Sequence, residues 1–403
     1  MELEASNRYG DDGSSKRAGK PYSTLTWVTA SAHIITAVIG SGVLSLSWAI
    51  AQLGWIAGPI ALVIFSIITW FTSTLLADCC RDPVSGKRCS CYMDAVKSNL
   101  GGINNKFCGL AQYMNLVGIT IGYSITSAIS MAAIKRSDCF HKDGQNVGCH
   151  VKNNNFMIIF GIIEIILSQI PNFHELSWLS AVAAVMSFGY STIGLGLSIA
   201  KAVGGEHART SLTGTTVGVD VTSWQKTWNC FEAIGDIAFA YAFSTVLVEI
   251  QASPPGFNGA YQVFCQPIFK QVEDRCFNRW PNSSFIKESP PIKLPLFGVY
   301  SFSAFRVVWR TGYVILTIVL AMLLPFFNGI LGFLGAASFW PLTVYFPIQM
   351  HISREQIQAF SWKWIWLNFL VLLCLIISVL AAAGSIATIV KDLSTYEPFN
   401  SVS

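Results

Sequence analysis

Long apolar stretches alternate with short polar segments along most of this chain. A transmembrane helix needs about 20 predominantly apolar residues to cross the hydrocarbon core of a bilayer. Nine stretches meet or approach that length, and they lie at 27–50, 55–77, 108–134, 156–171, 177–200, 227–250, 307–327, 329–350 and 364–390. The pattern therefore predicts an all-α integral membrane protein with about nine transmembrane helices.

The polar segments divide the chain into three regions. We predict a polar cytosolic tail at 1–26, a transmembrane domain at 27–390 and a short C-terminal tail at 391–403. The segment 257–272 is apolar only in patches and is short for a full crossing. We interpret it as a half-span or an interfacial helix.

Composition agrees with a membrane protein and excludes several other classes. Hydrophobic residues make up 52% of the chain and charged residues only 12%, which is incompatible with a soluble domain of this size. The net charge of +4 comes from residues in loops, so we expect no nucleic acid partner. No nucleophile–base pair, metal-ligand cluster or phosphate-binding loop is apparent in the sequence, so we expect neither an enzyme nor a metal site.

Lys and Arg residues predict the orientation of the spans. Cytoplasmic loops of membrane proteins carry an excess of these residues. If the N-terminus is cytosolic, 18 of the 26 Lys and Arg residues fall on the cytosolic side. This asymmetry favours a cytosolic N-terminus.

The first span contains an unusual run of small residues, Gly40-Ser41-Gly42, between Ile39 and Val43. Two glycines weaken a helix by about 1 kcal/mol each relative to alanine. A break in mid-membrane exposes N–H groups that attract a carboxylate and carbonyls that attract an ammonium group or a cation. The run predicts a site for a small zwitterion. The alternative is that the glycines only allow close packing of helices.

The sixth span carries two carboxylates four residues apart, Glu232 and Asp236, on one helix face. A charged side chain in mid-membrane costs about 2.5–3.5 kcal/mol on insertion scales, so Asp236 is a candidate for binding or proton coupling. Glu232 lies closer to the predicted outer interface, where it is expected to be solvated. His33, before the Gly40 break, is either a proton-coupling residue or a neutral histidine that bonds to a neighbouring helix.

Two of the eleven cysteines, Cys139 and Cys149, fall in a predicted outside loop. They are ten residues apart among Gly, Asn and charged residues, which suits a disulfide in an oxidising compartment. We predict that these two cysteines pair with each other.

Four segments together resemble one known family. They are Ser31–Leu46 around the Gly-Ser-Gly run, Trp48–Trp55, Gly235–Tyr241 and Phe339–Pro347. In these segments the chain resembles the plant amino acid permeases of the amino acid/auxin permease family. The resemblance extends over residues 20–251 and 259–396.

The resemblance implies proton-coupled symport of amino acids at the plasma membrane, with the proton as coupling ion and no organic cofactor. It also implies two inverted repeats of five helices and one extra helix, with discontinuous first and sixth helices. On this fold Ile39 to Val43 of the first span and Asp236, Phe239 and Tyr241 of the sixth would form the substrate site. Tyr123 is either a part of the pocket wall or an aromatic ring packed against another helix.

The chain departs from the family at one joint. Only seven residues, Ala252–Asn258, separate Gln251 from Gly259, where a permease would carry a loop, a seventh span and most of an eighth. Two crossings are lost together, so the orientation of the later spans is kept, but the second repeat is incomplete. The sequence thus leaves two expectations: an amino acid symporter, or a non-transporting protein or truncated isoform that regulates a full-length permease.

Overall fold

The computed structural model describes residues 41–81, 89, 91–143, 151–169, 177–204, 211–219, 221–242, 260–281, 283–286, 292–294, 298–300 and 303–395. Eleven α-helices are present in these ranges. They are α1 Ser41–Cys79, α2 Tyr92–Leu100, α3 Gly102–Asp143, α4 Asn153–Ser168, α5 Ser177–Val203, α6 Ser223–Ala240, α7 Ala260–Arg279, α8 Ala304–Leu323, α9 Phe327–Ser338, α10 Phe346–Arg354 and α11 Trp362–Thr395. A π-helical segment, Phe339–Tyr345, joins α9 to α10. One short hairpin pairs β1 Ile292–Leu294 with β2 Gly298–Tyr300 in antiparallel fashion.

This architecture confirms the prediction of an all-α membrane protein. Five of the described helical stretches are long and apolar enough to cross a bilayer: Ser45–Cys79, Gly102–Lys142, Ala304–Leu323, Phe327–Arg354 and Trp362–Ser394. Many large apolar side chains lie on the outside, as Trp366 and Phe369 do on α11, while polar ones such as Thr72 and Asn115 are buried. That distribution is expected of helices whose outer surface contacts lipid.

The described parts of the first two predicted spans form two helical arms joined at Gly54. Gly54 has φ 82° and ψ 180°, and the helical arms at 41–53 and 55–79 lie on either side of it. A Cβ placed on Gly58 would lie 3.5 Å from the Cα of Ile50, which shows that the chain folds back here. Glycine adopts positive φ without the steric cost that other residues incur. The break falls between the predicted spans 27–50 and 55–77.

Loops that were predicted to share a side of the membrane are in contact. The amide of Ile56, next to the Gly54 turn, donates to the carbonyl of Leu212, which lies in the loop between α5 and α6. On the opposite side, Arg354 Nη1 donates to the carbonyl of Asp78 at 2.8 Å, and Ser353 Oγ donates to that of Asn99 at 2.9 Å. These contacts agree with the loops that the order of the predicted spans places on the same side.

A three-residue ionic cluster ties α7 to α4 and α8. Arg310 Nε donates to Glu273 Oε1 at 2.8 Å, and Arg306 Nε donates to Glu273 Oε2 at 3.1 Å. Arg310 Nη1 also donates to the carbonyl of Ser168, the last residue of α4, at 2.8 Å. Glu273 and Arg310 are mostly buried, with side chains 6% and 12% exposed. This cluster fixes the helix that follows the seven-residue joint.

Two prolines accompany the π-helical segment: Pro341 lies within it, and Pro347 lies just after it in α10. The amide of Phe346 bonds to the carbonyl of Pro341, five residues earlier. In the same pattern the carbonyl of Leu342 would need the amide of residue 347, but proline has no N–H. The Tyr92 hydroxyl donates to this carbonyl instead, at 2.6 Å. A side chain of α2 therefore completes the hydrogen bonding of the segment.

Replacing Tyr92 with Phe is expected to lower the free energy of unfolding by about 1–3 kcal/mol, because it leaves the buried Leu342 carbonyl without a donor. The thermal unfolding of the purified variant in detergent measures this effect. Tyr345→Phe is the matched control, since the Tyr345 hydroxyl forms no hydrogen bond to any part of the chain that the structure describes. Equal stability of the two variants would contradict the prediction.

The helices differ from the predicted spans in some places. Helix α6 ends at Ala240, although the span was predicted to reach residue 250; residues 243–250 lie outside the described ranges. The segment at 257–272 does contain a helix, α7, but it extends to Arg279. The β-hairpin was not predicted. Most of both tails, the first part of the first span and the joint Ala252–Asn258 also lie outside the described ranges.

Candidate functional site

Asp236 is the most deeply buried ionisable side chain of the predicted site. It lies in the last two turns of α6 and has no exposed surface. Within the part of the chain that the structure describes, neither of its carboxylate oxygens has a hydrogen-bond partner. A buried charge without a partner is costly, and such groups usually bind a ligand, a cation or a proton.

Helix α6 is held by close backbone contacts with two neighbouring helices. A Cβ placed on Gly335 of α9 would overlap the carbonyl oxygen of Gly235 and lie 2.5 Å from the amide nitrogen of Phe239. On the other side, a Cβ on Gly384 of α11 would lie 2.7 Å from the amide nitrogen of Glu232. Small residues of this kind let the backbones of membrane helices approach closely. The backbone around Asp236 is therefore fixed from two directions.

Gly335→Ala is expected to lower the free energy of unfolding by about 1–3 kcal/mol, because its methyl group would force α6 and α9 apart. Gly312→Ala on α8 is the matched control. A Cβ on Gly312 meets nothing within 4 Å, so this change is expected to leave stability unchanged or to raise it slightly. Unfolding midpoints of the two purified variants test the difference, and equal midpoints would refute the close packing.

The predicted break in the first span meets the end of α6. A Cβ placed on Gly42 would lie 2.9 Å from the Cα of Ala240, the last residue of α6. Ala240 lies four residues after Asp236, on the same face of the helix. The structure thus brings Gly42 to within one helical turn of the position of the buried carboxylate.

The conformation of the break was predicted only in part. Ser41, Gly42 and Val43 were expected to be unwound, but they belong to α1. Ser45 stabilises this turn, since its buried hydroxyl donates to the carbonyl of Gly42 at 2.9 Å. Ile39 and Gly40 lie outside the described residues. Of the two readings of the Gly-Ser-Gly run, the contact at Gly42 favours close packing for this glycine, because it touches Ala240 directly.

The aromatic candidates lie in different surroundings. Phe239 and Tyr241 are half-buried at the end of α6, next to Ala240. Tyr123 is half-buried on α3, and it packs against a separate cluster that includes Ile125 and Tyr313. The position of Tyr123 fits an aromatic ring packed between helices. His33, the predicted proton-coupling residue, lies outside the described residues.

Glu232 corrects one prediction. It was expected to be solvated near the interface, but only 1% of its surface is exposed. Its Oε2 accepts a hydrogen bond from Thr388 Oγ1 of α11 at 2.7 Å. The sequence could not reveal this, because the burial depends on α9 and α11, which are distant along the chain.

The cysteines of the described ranges fall into two groups. Cys139 is disulfide-bonded. Its predicted partner, Cys149, lies outside the described residues, so this pairing stays a prediction. Cys80 and Cys91, at the opposite side, are free thiols, and burial raises the pKa of Cys80 to about 12 and that of Cys91 to about 11. Both thiols therefore remain protonated at neutral pH.

Comparisons with known proteins identify the family of this chain. The model of the family "Transmembrane amino acid transporter protein" matches residues 23–254 and 257–391. Amino acid permease 6 of Arabidopsis thaliana is 52% identical over 98% of this chain and 95% of its own length. Amino acid permease 1 of the same plant is 50% identical over 97% of this chain and 93% of its own. No solved structure matches the chain significantly.

The alignments also support an internal deletion. The alignment with amino acid permease 6 spans 465 positions, more than the 403 residues of this chain, so at least 62 positions have no residue here. The family match is interrupted between residues 254 and 257, within the predicted joint. The family consists of transporters, which confirms the expectation that the chain is not an enzyme. With a family match on both sides of the joint and about half of its residues shared with two permeases, the chain belongs to the transmembrane amino acid transporter family, in the branch of the plant amino acid permeases.

Proposed function

We propose that this protein moves amino acids across the plasma membrane in symport with protons, with its N-terminus in the cytosol. Membership in a family of transmembrane amino acid transporters supports the substrate class. The names of its relatives, amino acid permeases 6 and 1, support the same class. The excess of Lys and Arg in alternate loops supports the orientation.

The observation that carries the proposal is the carboxylate of Asp236, which has no hydrogen-bond partner among the described residues. It is fully buried, and it lies one turn before the point where α6 ends against Gly42. Desolvation makes a negative charge costly here, and either a bound proton or the ammonium group of a substrate removes that cost. Coupling of proton movement to substrate movement requires a group that gains or loses a proton when the substrate binds or leaves.

The substrate is proposed to lie beside this carboxylate. The carboxylate of an amino acid would accept hydrogen bonds from backbone amides near Ile39 to Val43, and its ammonium group would face the end of α6. Phe239 and Tyr241 follow Asp236 within the next two turns and are half-buried, so they are proposed as the apolar wall for the substrate side chain. Tyr123 would take part only if the pocket extends to α3.

A second candidate function follows from the deletion. At least 62 aligned positions of amino acid permease 6 have no counterpart in this chain, and the two family matches meet at the joint. Alternating access needs a complete pair of repeats that rock around the site. An incomplete second repeat favours a non-transporting protein that associates with a full-length permease and lowers its activity.

Uptake of radiolabelled amino acids tests the two functions. The chain is expressed in cells that lack their own uptake systems, and uptake is measured at about pH 5 and about pH 7.5 while surface labelling measures its abundance. Saturable uptake that is faster at the lower pH supports the symporter. Surface expression without uptake would exclude it. Reduced uptake by a co-expressed full-length permease would then support the regulator.

A further inference from the structure

Glu232 has a place in the fold that the proposed substrate site does not use. It lies one helical turn before Asp236 on α6, on the same helix face, and is equally removed from solvent. One of its oxygens, Oε2, accepts a hydrogen bond from Thr388 Oγ1 at 2.7 Å. The other, Oε1, has no partner among the residues that the structure describes. One oxygen is thus held in place while the other remains available.

Three helices enclose this carboxylate, and two glycines make room for it. A Cβ placed on Gly332 of α9 would lie 3.3 Å from Glu232 Cγ, and one placed on Gly329 would lie 3.8 Å from Oε1. Larger residues at these positions would occupy the space around the acidic group. The glycines therefore let α9 and α11 pack closely around the acidic group without a side chain at the free oxygen.

The ionisable groups near Glu232 lie on its own helix and at the end of α11. Asp236 is the neighbour on α6, and Asp392 and Lys391 on α11 act on Glu232 electrostatically. Helix α9 carries no ionisable residue. Asp392 follows Thr388 by one turn and is half-buried, whereas Lys391 is exposed. In the predicted topology this end of α11 faces the outside.

We propose that Glu232 is a proton-transfer residue that connects the outer end of α11 with Asp236. A hydronium ion at the Asp392 end would give a proton to Oε1 of the Glu232 carboxylate and leave as a water molecule. The protonated Glu232 would then give this proton to the Asp236 carboxylate and become a carboxylate again, so that one O–H bond breaks as each new one forms. The Thr388 hydroxyl is proposed to act as a positioning group that holds Oε2 in both states. This inference rests on the proposed proton symport.

The uptake test compares three variants with the wild type. Glu232→Gln keeps the shape of the side chain but cannot take up or release the proton. We expect it to abolish the excess of uptake at about pH 5 over about pH 7.5. Thr388→Val is expected to reduce this excess in part. Thr388→Ser keeps the hydroxyl group and is expected to show the same excess as the wild type. The surface abundance and the unfolding temperature of each variant are measured as well. A purely structural effect would lower these two quantities, whereas loss of proton transfer would lower only the excess of uptake at the lower pH. A wild-type pH response in Glu232→Gln would overturn the inference.

A second measurement does not depend on transport. Infrared difference spectra of the purified protein in lipid nanodiscs, recorded between about pH 5 and about pH 7.5, report the protonation of buried carboxyl groups. We expect one carboxylic acid band that disappears in Glu232→Gln and shifts in Thr388→Val, because the Thr388 bond changes its frequency. If the wild type shows no uptake, the symport proposal fails, but this band still decides whether Glu232 exchanges a proton. Its absence would overturn the inference with or without transport.

Discussion

Asp236→Asn is expected to reduce proton-stimulated amino acid uptake to the background of cells without the protein. Asparagine has nearly the same shape as aspartate, so the packing of α6 between α9 and α11 is preserved. It cannot release or accept a proton at any pH of the experiment, and it carries no charge for an ammonium group. Uptake of a radiolabelled amino acid at several pH values, normalised to surface abundance, measures the loss.

The matched control is the same substitution at an exposed site. Asp138 lies near the end of α3, where its side chain is 44% exposed and bonds to Lys142. Asp138→Asn is expected to leave uptake and its pH dependence unchanged, because an exposed pair of this kind contributes little. If Asp236→Asn retained the pH-stimulated uptake of the wild type, Asp236 would not be the coupling residue.

Glu273→Gln is expected to lower the free energy of unfolding by about 3–5 kcal/mol, because it leaves two arginines near the joint without their shared counter-charge. Arg310 alone donates two hydrogen bonds to Glu273, from Nε at 2.8 Å and from Nη2 at 3.2 Å. Both arginines also lie over aromatic rings, Arg306 over Phe277 and Arg310 over Phe269. Loss of the carboxylate charge therefore disturbs α4, α7 and α8 together. Thermal or chemical unfolding of the purified variant provides the measurement.

The control for this change is again the exposed pair of Asp138 and Lys142. Asp138→Asn removes an ion pair of similar length at the surface and is expected to cause no measurable loss. A Glu273→Gln variant as stable as the Asp138→Asn variant would show that the buried cluster does not hold α7 in place.

Much of the fold could be predicted from the sequence because a bilayer imposes simple constraints. Apolar stretches gave the positions of the helices, and the gap between 50 and 55 contains Gly54, where the chain folds back. The sequence also indicated Asp236 as a candidate for binding or proton coupling. A carboxylate within an apolar run is costly unless it has a role or a partner.

Other features depend on residues that are distant in the sequence. Glu232 is buried by α9 and α11, so its position along α6 alone suggested the wrong environment. The π-helical segment is completed by Tyr92 from another helix, which the run of prolines at 341 and 347 did not reveal. Hydropathy did not reveal the end of α6 at Ala240, because the following residues are as apolar as those before it; only the family resemblance implied a discontinuous sixth helix. Hydropathy measures the preference for lipid, but it does not report which side chains meet.

The contacts of α9 differ on its two sides, and this difference restricts how the protein can move. Toward α6 the contact is between backbones at Gly235, Gly332 and Gly335, which cannot slide without overlap. Toward α3 the contacts at Gly118 and Gly122 are made by the side chains of Leu334 and Leu331, and Leu331 Cδ2 would lie 3.3 Å from a Cβ added to Gly122. A side-chain contact can be remade by a change of rotamer, whereas a contact between backbones has no rotamer to change. We therefore expect α6 and α9 to travel as one rigid body, carrying Asp236 and Glu232 together, with the α3–α9 interface as the surface along which that body shifts.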